Sequence, residues 1–326
     1  MSYVSRRGLL LSGAAAAMLA TLGAPSILRA QSLRQLRVDW ATYNPVSMLL
    51  RDKGWLEEEF AADGTAITWV QSAGSNKALE FLNASAIDFG STAGSAALVA
   101  KINGNPIKSI YSYSRPEWTA LVTRPDTGIS SVAELAGKTV AVTRGTDPHI
   151  FLIRALADQG LTERDITTVL LQHADGKTAL IRGDVDAWAG LDPLMAAAEV
   201  EEGARLFFRN ADANTYGILN TREAFLAEQP EAVARVLSVY ERARLHALDN
   251  PAELKAVTIA ATGLAPEVID IQLDQRTDLS QPRLGQAQHD TILAAGLALQ
   301  EAGVIEPAID VPGTVAGLID DRLPAA

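Results

Sequence analysis

Apolar positions in the first half of the chain come in short blocks that alternate with longer segments of helical spacing. The blocks at 36–40, 67–71, 87–91 and 107–113 are rich in β-branched or aromatic residues and bounded by turn formers, which predicts strands. Between them, 46–62, 77–84 and 93–103 have the spacing and length of helices. The alternation resumes at residue 138, with strands predicted at 138–143, 167–172, 185–191 and 205–209 and helices at 148–159, 178–182 and 193–201. This order predicts an α/β fold with mostly parallel, doubly wound sheets. Beyond Asn220 the pattern turns almost wholly helical, and V-A-R-V-L-S-V-Y-E-R-A carries a single apolar stripe. Such a tail needs a formed surface to pack on.

Two parts of the pattern echo one another. L-N-A-S-A-I-D at 82–88 is matched by L-I-R-G-D-V-D at 180–186, and upstream Q-S-A-G-S-N-K-A-L at 71–79 by Q-H-A-D-G-K-T-A-L at 172–180. A repeated helix–turn–strand unit predicts two similar lobes with a cleft between them. The extended stretches W-T-A-L-V-T at 118–123 and Y-G-I-L-N at 216–220 are the predicted crossing points. Residues 33–119 plus 219–326 then form lobe one, 120–218 form lobe two, and the helical tail completes lobe one. Two crossing strands make a hinge. The repeated Asp88 and Asp186 read as turn or backbone-bonding residues.

At 326 residues, with 48% hydrophobic and 21% charged, the chain is large enough for two globular lobes. Its first 30 residues contain three Arg and no acidic residue. Arg6-Arg7, the apolar run at 9–24 and Leu28-Arg29-Ala30 ahead of Gln31 read as an export signal over residues 1–30 of twin-arginine type, with a Sec signal or a retained anchor as the alternative. A periplasmic location is expected. Without that segment, 28 less three leaves 25 basic against 39 acidic residues, a net charge of −14, which disfavours nucleic acid and anionic membrane as partners. The chain has no Cys, which excludes disulfides and a thiol nucleophile. Its four His, at 149, 173, 246 and 289, show no metal-ligand spacing, so no metal or other cofactor is expected. Neither a nucleotide-binding loop nor a G-x-S-x-G elbow occurs.

The runs L-R-V-D-W-A-T-Y-N-P, A-I-D-F-G-S-T, W-T-A-L-V-T, S-V-A-E-L-A-G-K-T-V-A-V-T-R-G-T and R-G-D-V-D-A-W-A-G-L-D-P, in this order, resemble periplasmic solute-binding proteins of ABC importers. The branch they resemble binds aliphatic sulfonates, taurine and nitrate. The resemblance implies a two-lobed type II periplasmic binding protein fold, each lobe a mostly parallel sheet flanked by helices, with two crossing hinge segments. It implies a non-catalytic role: capture of a small anionic or zwitterionic solute for an ABC permease and its ATPase. In that family solutes lie where strands end and helices begin. In this sequence those places are Tyr43, Asn44, Gly74, Ser75, Asn76, Ser91, Thr92, Ala93, Trp118, Thr143, Gly145, Thr146, Asp147, His149, Trp188, Asp192 and Tyr216. Helix N-termini present unpaired N–H groups and about half a positive charge each, so several aimed at one point hold a sulfonate without a cation.

Plainer roles compete at several of these positions. Asp147 and Pro148 also read as a helix cap and first helical residue, Trp188 as core, and His149 as a packed side chain. Arg115 and Arg144, the nearest cations, read as solvent-facing. If Asp147 or Asp192 faces the cleft, a solute carrying an amine beside its anionic group is favoured, as in taurine. A larger ring stacked on Trp118 or Trp188, or a heterocycle such as a thiamine pyrimidine, is the other option. A membrane sensor is the alternative partner. Sulfinate desulfinases resembling this family depend on a Cys nucleophile, which this chain lacks. Replacing Thr146 or Trp188 by Ala is expected to weaken binding with little loss of folding.

Overall fold

The computed structural model describes residues 33–321; the predicted export signal lies outside them. The chain runs through β1 (Gln35–Trp40), α1 (Pro45–Lys53), α2 (Trp55–Phe60), β2 (Ala66–Gln71), α3 (Ser75–Asn83), β3 (Phe89–Ala93), α4 (Gly94–Ile102) and β4 (Ile107–Pro116). It then crosses to β5 (Thr119–Thr123), β6 (Thr139–Val142), α5 (Asp147–Ala157), β7 (Thr167–Leu170), α6 (His173–Arg182), β8 (Ala187–Leu191), α7 (Leu194–Glu202) and β9 (Arg205–Phe208). It returns as β10 (Gly217–Arg222), followed by α8 (Glu223–Glu228), α9 (Pro230–Asp249), α10 (Pro251–Thr262), α11 (Pro266–Asp270), β11 (Thr277–Asp278), α12 (Gln286–Glu301) and α13 (Val311–Leu318). Among the described residues no helix is long and apolar enough to cross a membrane.

Two sheets result, one ordered β11-β4-β10-β3-β1-β2 and the other β7-β6-β8-β5-β9. The pairs β1–β2, β1–β3, β6–β7 and β6–β8 are parallel, as the strand–helix alternation predicts. The crossing strands make both sheets mixed. β10 runs antiparallel between β3 and β4, and β5 antiparallel between β8 and β9. Register gives the reason: β10 begins with Gly217 opposite Ala93, the last residue of β3, and β5 begins with Thr119 opposite Leu191, the last residue of β8. A strand that enters at the carboxyl end of its neighbour must run against it. Both crossings therefore enter at carboxyl ends, and those ends of the two sheets face each other.

Local chemistry explains where elements stop. The single helix predicted over 46–62 is broken at Gly54, whose φ of 63° suits only a residue without a side-chain penalty there. Asn44 caps α1 by accepting from the Ser47 N–H at 3.1 Å. The two echoing segments are equivalent in three dimensions. Asp88 accepts the Arg37 backbone N–H at 2.9 Å and Asp186 that of Thr139 at 2.8 Å, so each aspartate pins the strand beside it, the backbone-bonding role read from the sequence.

The first lobe has one large core, in which Leu36, Val38, Leu49, Phe60, Phe89, Tyr113, Val236 and Tyr240 all pack. The second lobe has a core on each face of its sheet, because β5 points Leu121 to one side and Ala120 and Val122 to the other. The helical tail packs against helices of both lobes. α9 and α10 pack on α1, and α12 and α13 on α4, but α11 packs on α7 and α12 also reaches α5, both in the second lobe. Val268 of α11 sits against Ala196 and Ala197.

Trp188 is fully buried in the second-lobe core with Ala120, Val122, Ala141 and Met195, its indole nitrogen against Gly176 of α6. This reverses the expectation that its loss would spare folding. Trp188→Ala should lower the free energy of unfolding by about 3–5 kcal/mol, as truncation of a packed aromatic does; urea denaturation measures this, and a loss below about 1 kcal/mol would contradict the packing described.

Candidate functional site

The facing carboxyl ends bring together the segments that follow β1, β2 and β3 in one lobe and β6, β7 and β8 in the other. Helices α1, α3 and α4, and α5, α6 and α7, all begin at these ends, so their N-terminal N–H groups open toward the same region. This is the crevice where ligands of open α/β sheets lie.

On the first-lobe wall a buried network is built on Asp39, the penultimate residue of β1. Its two carboxylate oxygens accept from the Ser91 N–H and the Ser91 hydroxyl, both at 2.8 Å. Asn44 donates to the same hydroxyl at 2.8 Å, and the Tyr43 hydroxyl donates to the Ser91 carbonyl at 2.9 Å. Tyr43 meets Trp118 edge to face, with ring centroids 6.0 Å apart. Ser75 accepts the Ala93 N–H at 3.0 Å, and Thr92 donates to the Ala93 carbonyl at 3.0 Å while accepting from Asn220 at 2.7 Å. Burial pushes the Asp39 carboxyl up to about 6 against the pull of the two Ser91 donors.

Asp147 joins the lobes. Thr146, rather than Asp147, is the N-cap of α5, and Asp147 is its first residue. Freed from capping, the Asp147 carboxylate accepts from the Ser95 hydroxyl of α4, from Trp118 Nε1 at 2.8 Å, and from the Thr215 N–H at 3.1 Å and hydroxyl at 2.9 Å. Trp118 and Thr215 belong to the two crossing segments. Burial raises this carboxyl above the usual aspartate range, and the four donors oppose that rise. The crossings are also bonded to each other: Asn214 accepts the Thr119 N–H at 3.0 Å, and Arg209 makes a two-pronged pair with Glu117 at 2.8 Å on both prongs.

Asp192 is likewise occupied. It accepts the Ala196 N–H at 2.9 Å and pairs with Arg276 of the tail at 3.2 and 3.3 Å, while Arg276 also reaches Glu199 at 2.5 Å. Neither Asp147 nor Asp192 is a spare carboxylate in the cleft, which removes the ground on which they favoured an amine. Other sequence-predicted residues are placed as follows. His149 lies against Glu163 of its own lobe at 3.1 Å. The Tyr216 hydroxyl donates to Gln281 of the tail at 3.2 Å. Thr146 donates to the Thr143 carbonyl at 2.6 Å. Gly145, at φ 78°, turns next to Asn76 of the other lobe.

Pattern reasoning passed over Asp39, Ser95, Thr215, Arg276 and His173. The signal for His173 was present, since it opens a helix directly after a strand, like the residues that were chosen. It is buried, and its Nε2 reaches the first lobe at Gly74, where an added Cβ would lie 3.0 Å from that nitrogen and 2.8 Å from Asn76 Oδ1. Gly74 is therefore needed for the close approach of the lobes. Burial pushes the His173 imidazole down to about 3, so it is neutral at physiological pH.

Comparison with known proteins bears on this geometry. The NMT1/THI5 like family model matches residues 48–254. Over 243 residues the chain is 29% identical to a protein of Escherichia coli (strain K12) named as an aliphatic sulfonates-binding protein, covering 74% of this chain and 76% of that one. It is 26% identical over 229 residues to a 4-amino-5-hydroxymethyl-2-methylpyrimidine phosphate synthase of Aspergillus parasiticus, covering 64% of each. Among solved structures it is similar to the alkanesulfonate-binding protein SsuA of Xanthomonas axonopodis pv. citri bound to MOPS, with a TM-score of 0.79, 25% identity, and 88% of this chain and 98% of that one covered.

The Asp39 network carries a signed pH dependence. Because burial raises its carboxyl from 3.8 to about 6, the folded state keeps a proton that the unfolded chain gives up. The stability this contributes is complete below the unfolded value and is lost as pH rises through the folded one. Relative to the unsubstituted protein, Asp39→Asn should therefore gain roughly 2 kcal/mol between about pH 4 and pH 7. Urea midpoints at both pH values test this, and parallel pH profiles for the two proteins would show that Asp39 titrates normally.

Proposed function

The chain belongs to the NMT1/THI5 like family and has the two-lobed periplasmic binding protein fold, and from that premise we propose that it is the extracytoplasmic solute-binding component of an ABC importer. It captures a small organosulfonate-class solute between its lobes and delivers it to a membrane permease, whose ATPase supplies the energy. The observation that carries this reading is the opposition of two sets of helix N-termini across the facing carboxyl ends of the sheets. Backbone N–H groups and helix dipoles hold an anion there without a dedicated cation. That matters in a chain of net charge −11, where Arg276, the arginine nearest Asp192, is already paired with two carboxylates.

Likeness to proteins named for sulfonate binding supports the solute class, and the Arg6-Arg7 segment with its apolar run supports export to the periplasm. A heterocyclic amine is the second reading, favoured by likeness to the pyrimidine phosphate synthase. A thiol nucleophile is excluded by the absence of Cys from the sequence, and likeness to proteins named for binding supports capture rather than catalysis as the role of the cleft.

Calorimetry and thermal shift of residues 31–326 against alkanesulfonates, taurine, nitrate, bicarbonate and aminopyrimidines test the assignment. At least one sulfonate should bind one-to-one and, at a free concentration of about 100 times Kd, stabilise the fold by about 2.7 kcal/mol. Binding of a neutral heterocycle with no response to any sulfonate would sink the sulfonate class and leave the fold untouched.

A further inference from the structure

The echoing segments 71–79 and 172–180 lead from β2 into α3 and from β7 into α6, and they touch where Gly74 meets His173. Strand order puts this contact far from the crossings. β2 is the edge strand three places from β10 in its sheet, and β7 the edge strand three places from β5 in the other. At about 4.8 Å per strand these tips of the lobes stand roughly 14 Å from the crossing strands, so a hinge rotation of about 15° parts them by roughly 4 Å. Asp147 and Arg276, bonded to residues 117, 118 and 215 of the crossings, sit close to the axis of such a rotation.

The contact at the tips leaves no room for a side chain. His173 is 2% exposed and is held from behind: the Thr143 hydroxyl donates to the Leu171 carbonyl at 2.7 Å and so accepts from His173 Nδ1 at 3.2 Å. A Cβ added to Gly74 would lie 3.0 Å from His173 Nε2, 3.1 Å from its Cδ2 and 2.8 Å from Asn76 Oδ1. Asn76 is in the same lobe as Gly74 and its side chain can rotate away, whereas the ring seated on Thr143 in a packed interior cannot. The backbone gives no reason for glycine here, since φ 163° and ψ 165° are extended and open to any residue. It is the opposite lobe that requires one.

We propose that Gly74 is a positioning residue for capture: having no side chain, it lets the tips of the lobes come into contact at His173 and seal the crevice, and so sets how long a solute stays inside. This rests on reading the crevice as the solute site. Asn76 and Gly145 mark the same edge from the two lobes, since a Cβ on Gly145 would lie 3.7 Å from that of Asn76. A side chain at position 74 wedges the tips apart at the point of greatest travel. The wedge leaves the way in open and shortens the sealed state, so it acts on dissociation and not on encounter. Because it touches no solute, it weakens every solute alike.

Stopped-flow kinetics of Gly74→Ala test this first. Dissociation of taurine and of ethanesulfonate should speed up by the same factor, at least about tenfold, with association within about twofold of the unsubstituted protein. A urea midpoint shows whether the variant is folded; an unchanged dissociation rate in the folded variant overturns the proposal, and if it does not fold, a second variant decides. N76C/G145C places two thiols in a chain without Cys, at a Cβ separation that suits a disulfide. Gly145, at φ 78°, takes a side chain only with strain, so each sample is compared with itself after reduction. Solute present during oxidation should be retained through dialysis, and protein oxidised empty should bind none until it is reduced. Free exchange of solute in the oxidised protein, or thiols that do not join, overturns the seal. Small-angle X-ray scattering reads it without any solute: the reduced variant should have a larger radius of gyration than its oxidised form, and equal radii overturn the proposal. Absence of sulfonate binding by the unsubstituted protein would instead sink the organosulfonate reading, with scattering still deciding on Gly74.

Discussion

Asp147 holds the cleft in its present form. One buried carboxylate accepts from α4 in the first lobe and from both crossing segments while standing at the start of α5 in the second. Burying a charged or polar group without partners costs several kcal/mol, so a site of this kind is stable only when its donors arrive together. That couples three stretches of chain that are far apart in sequence. Among the four bonds, only that from Ser95 comes from a first-lobe helix, and the others come from residues 118 and 215 of the crossings themselves. Moving α4 away from α5 therefore gives up one bond in four, and the hinge keeps the rest.

The same logic explains how a cleft proposed for an anion tolerates acidic residues. Asp39, Asp147 and Asp192 all lie near the carboxyl ends of strands and are buried. Burial pushes each carboxyl upward, to about 6 for Asp39 and Asp192, and each is answered by donors fixed in the protein. Arg276 is committed to Asp192 and Glu199, so the tail brings a cation to the second lobe without offering it to a solute. Three of the six helix N-termini are answered within the protein as well, Ser47 of α1 by Asn44, Ser95 of α4 by Thr215 and Ala196 of α7 by Asp192; those of α3, α5 and α6 have no side-chain cap, and their field is local and falls off within the first turn.

How much of this was legible in the sequence depends on the range of the interaction. The strands, the two crossing stretches and the echo of 82–88 in 180–186 follow from periodicity and turn chemistry, both local signals, and the structure shows Asp88 and Asp186 pinning neighbouring strands in the same way. The sheets' mixed character was harder to see, because direction depends on which end of the sheet a crossing strand enters. Partner choice was not legible at all. Nothing around Asp147 announces that it leaves the cap of α5 to Thr146 and turns to Ser95 and Thr215, 52 and 68 residues away. Nothing around Arg276 announces Asp192, 84 residues back. Trp188 shows the same limit from the other side: a strand tryptophan expected to line the cleft packs instead in the core of the second lobe.

The two walls of the crevice are therefore unequal in a way that composition hides. The first lobe supplies more hydroxyls, but Ser91 is held by Asp39 and Asn44, Thr92 by Ala93 and Asn220, and Ser95 by Asp147, so each is already bonded within the protein. Counting polar residues on that wall overstates what it can offer a solute. The second lobe supplies fewer polar groups, yet one of them, His173, has its donor side consumed by Thr143 and its acceptor side unanswered at the surface that meets Gly74. Affinity for an anion can come from helix ends on both walls, which discriminate poorly because any oxyanion satisfies an N–H. The two unanswered acceptors, Asn76 Oδ1 of the first lobe and His173 Nε2 of the second, are closed off together where the lobes meet at Gly74, so at that point the walls are matched in packing rather than in what they offer a solute.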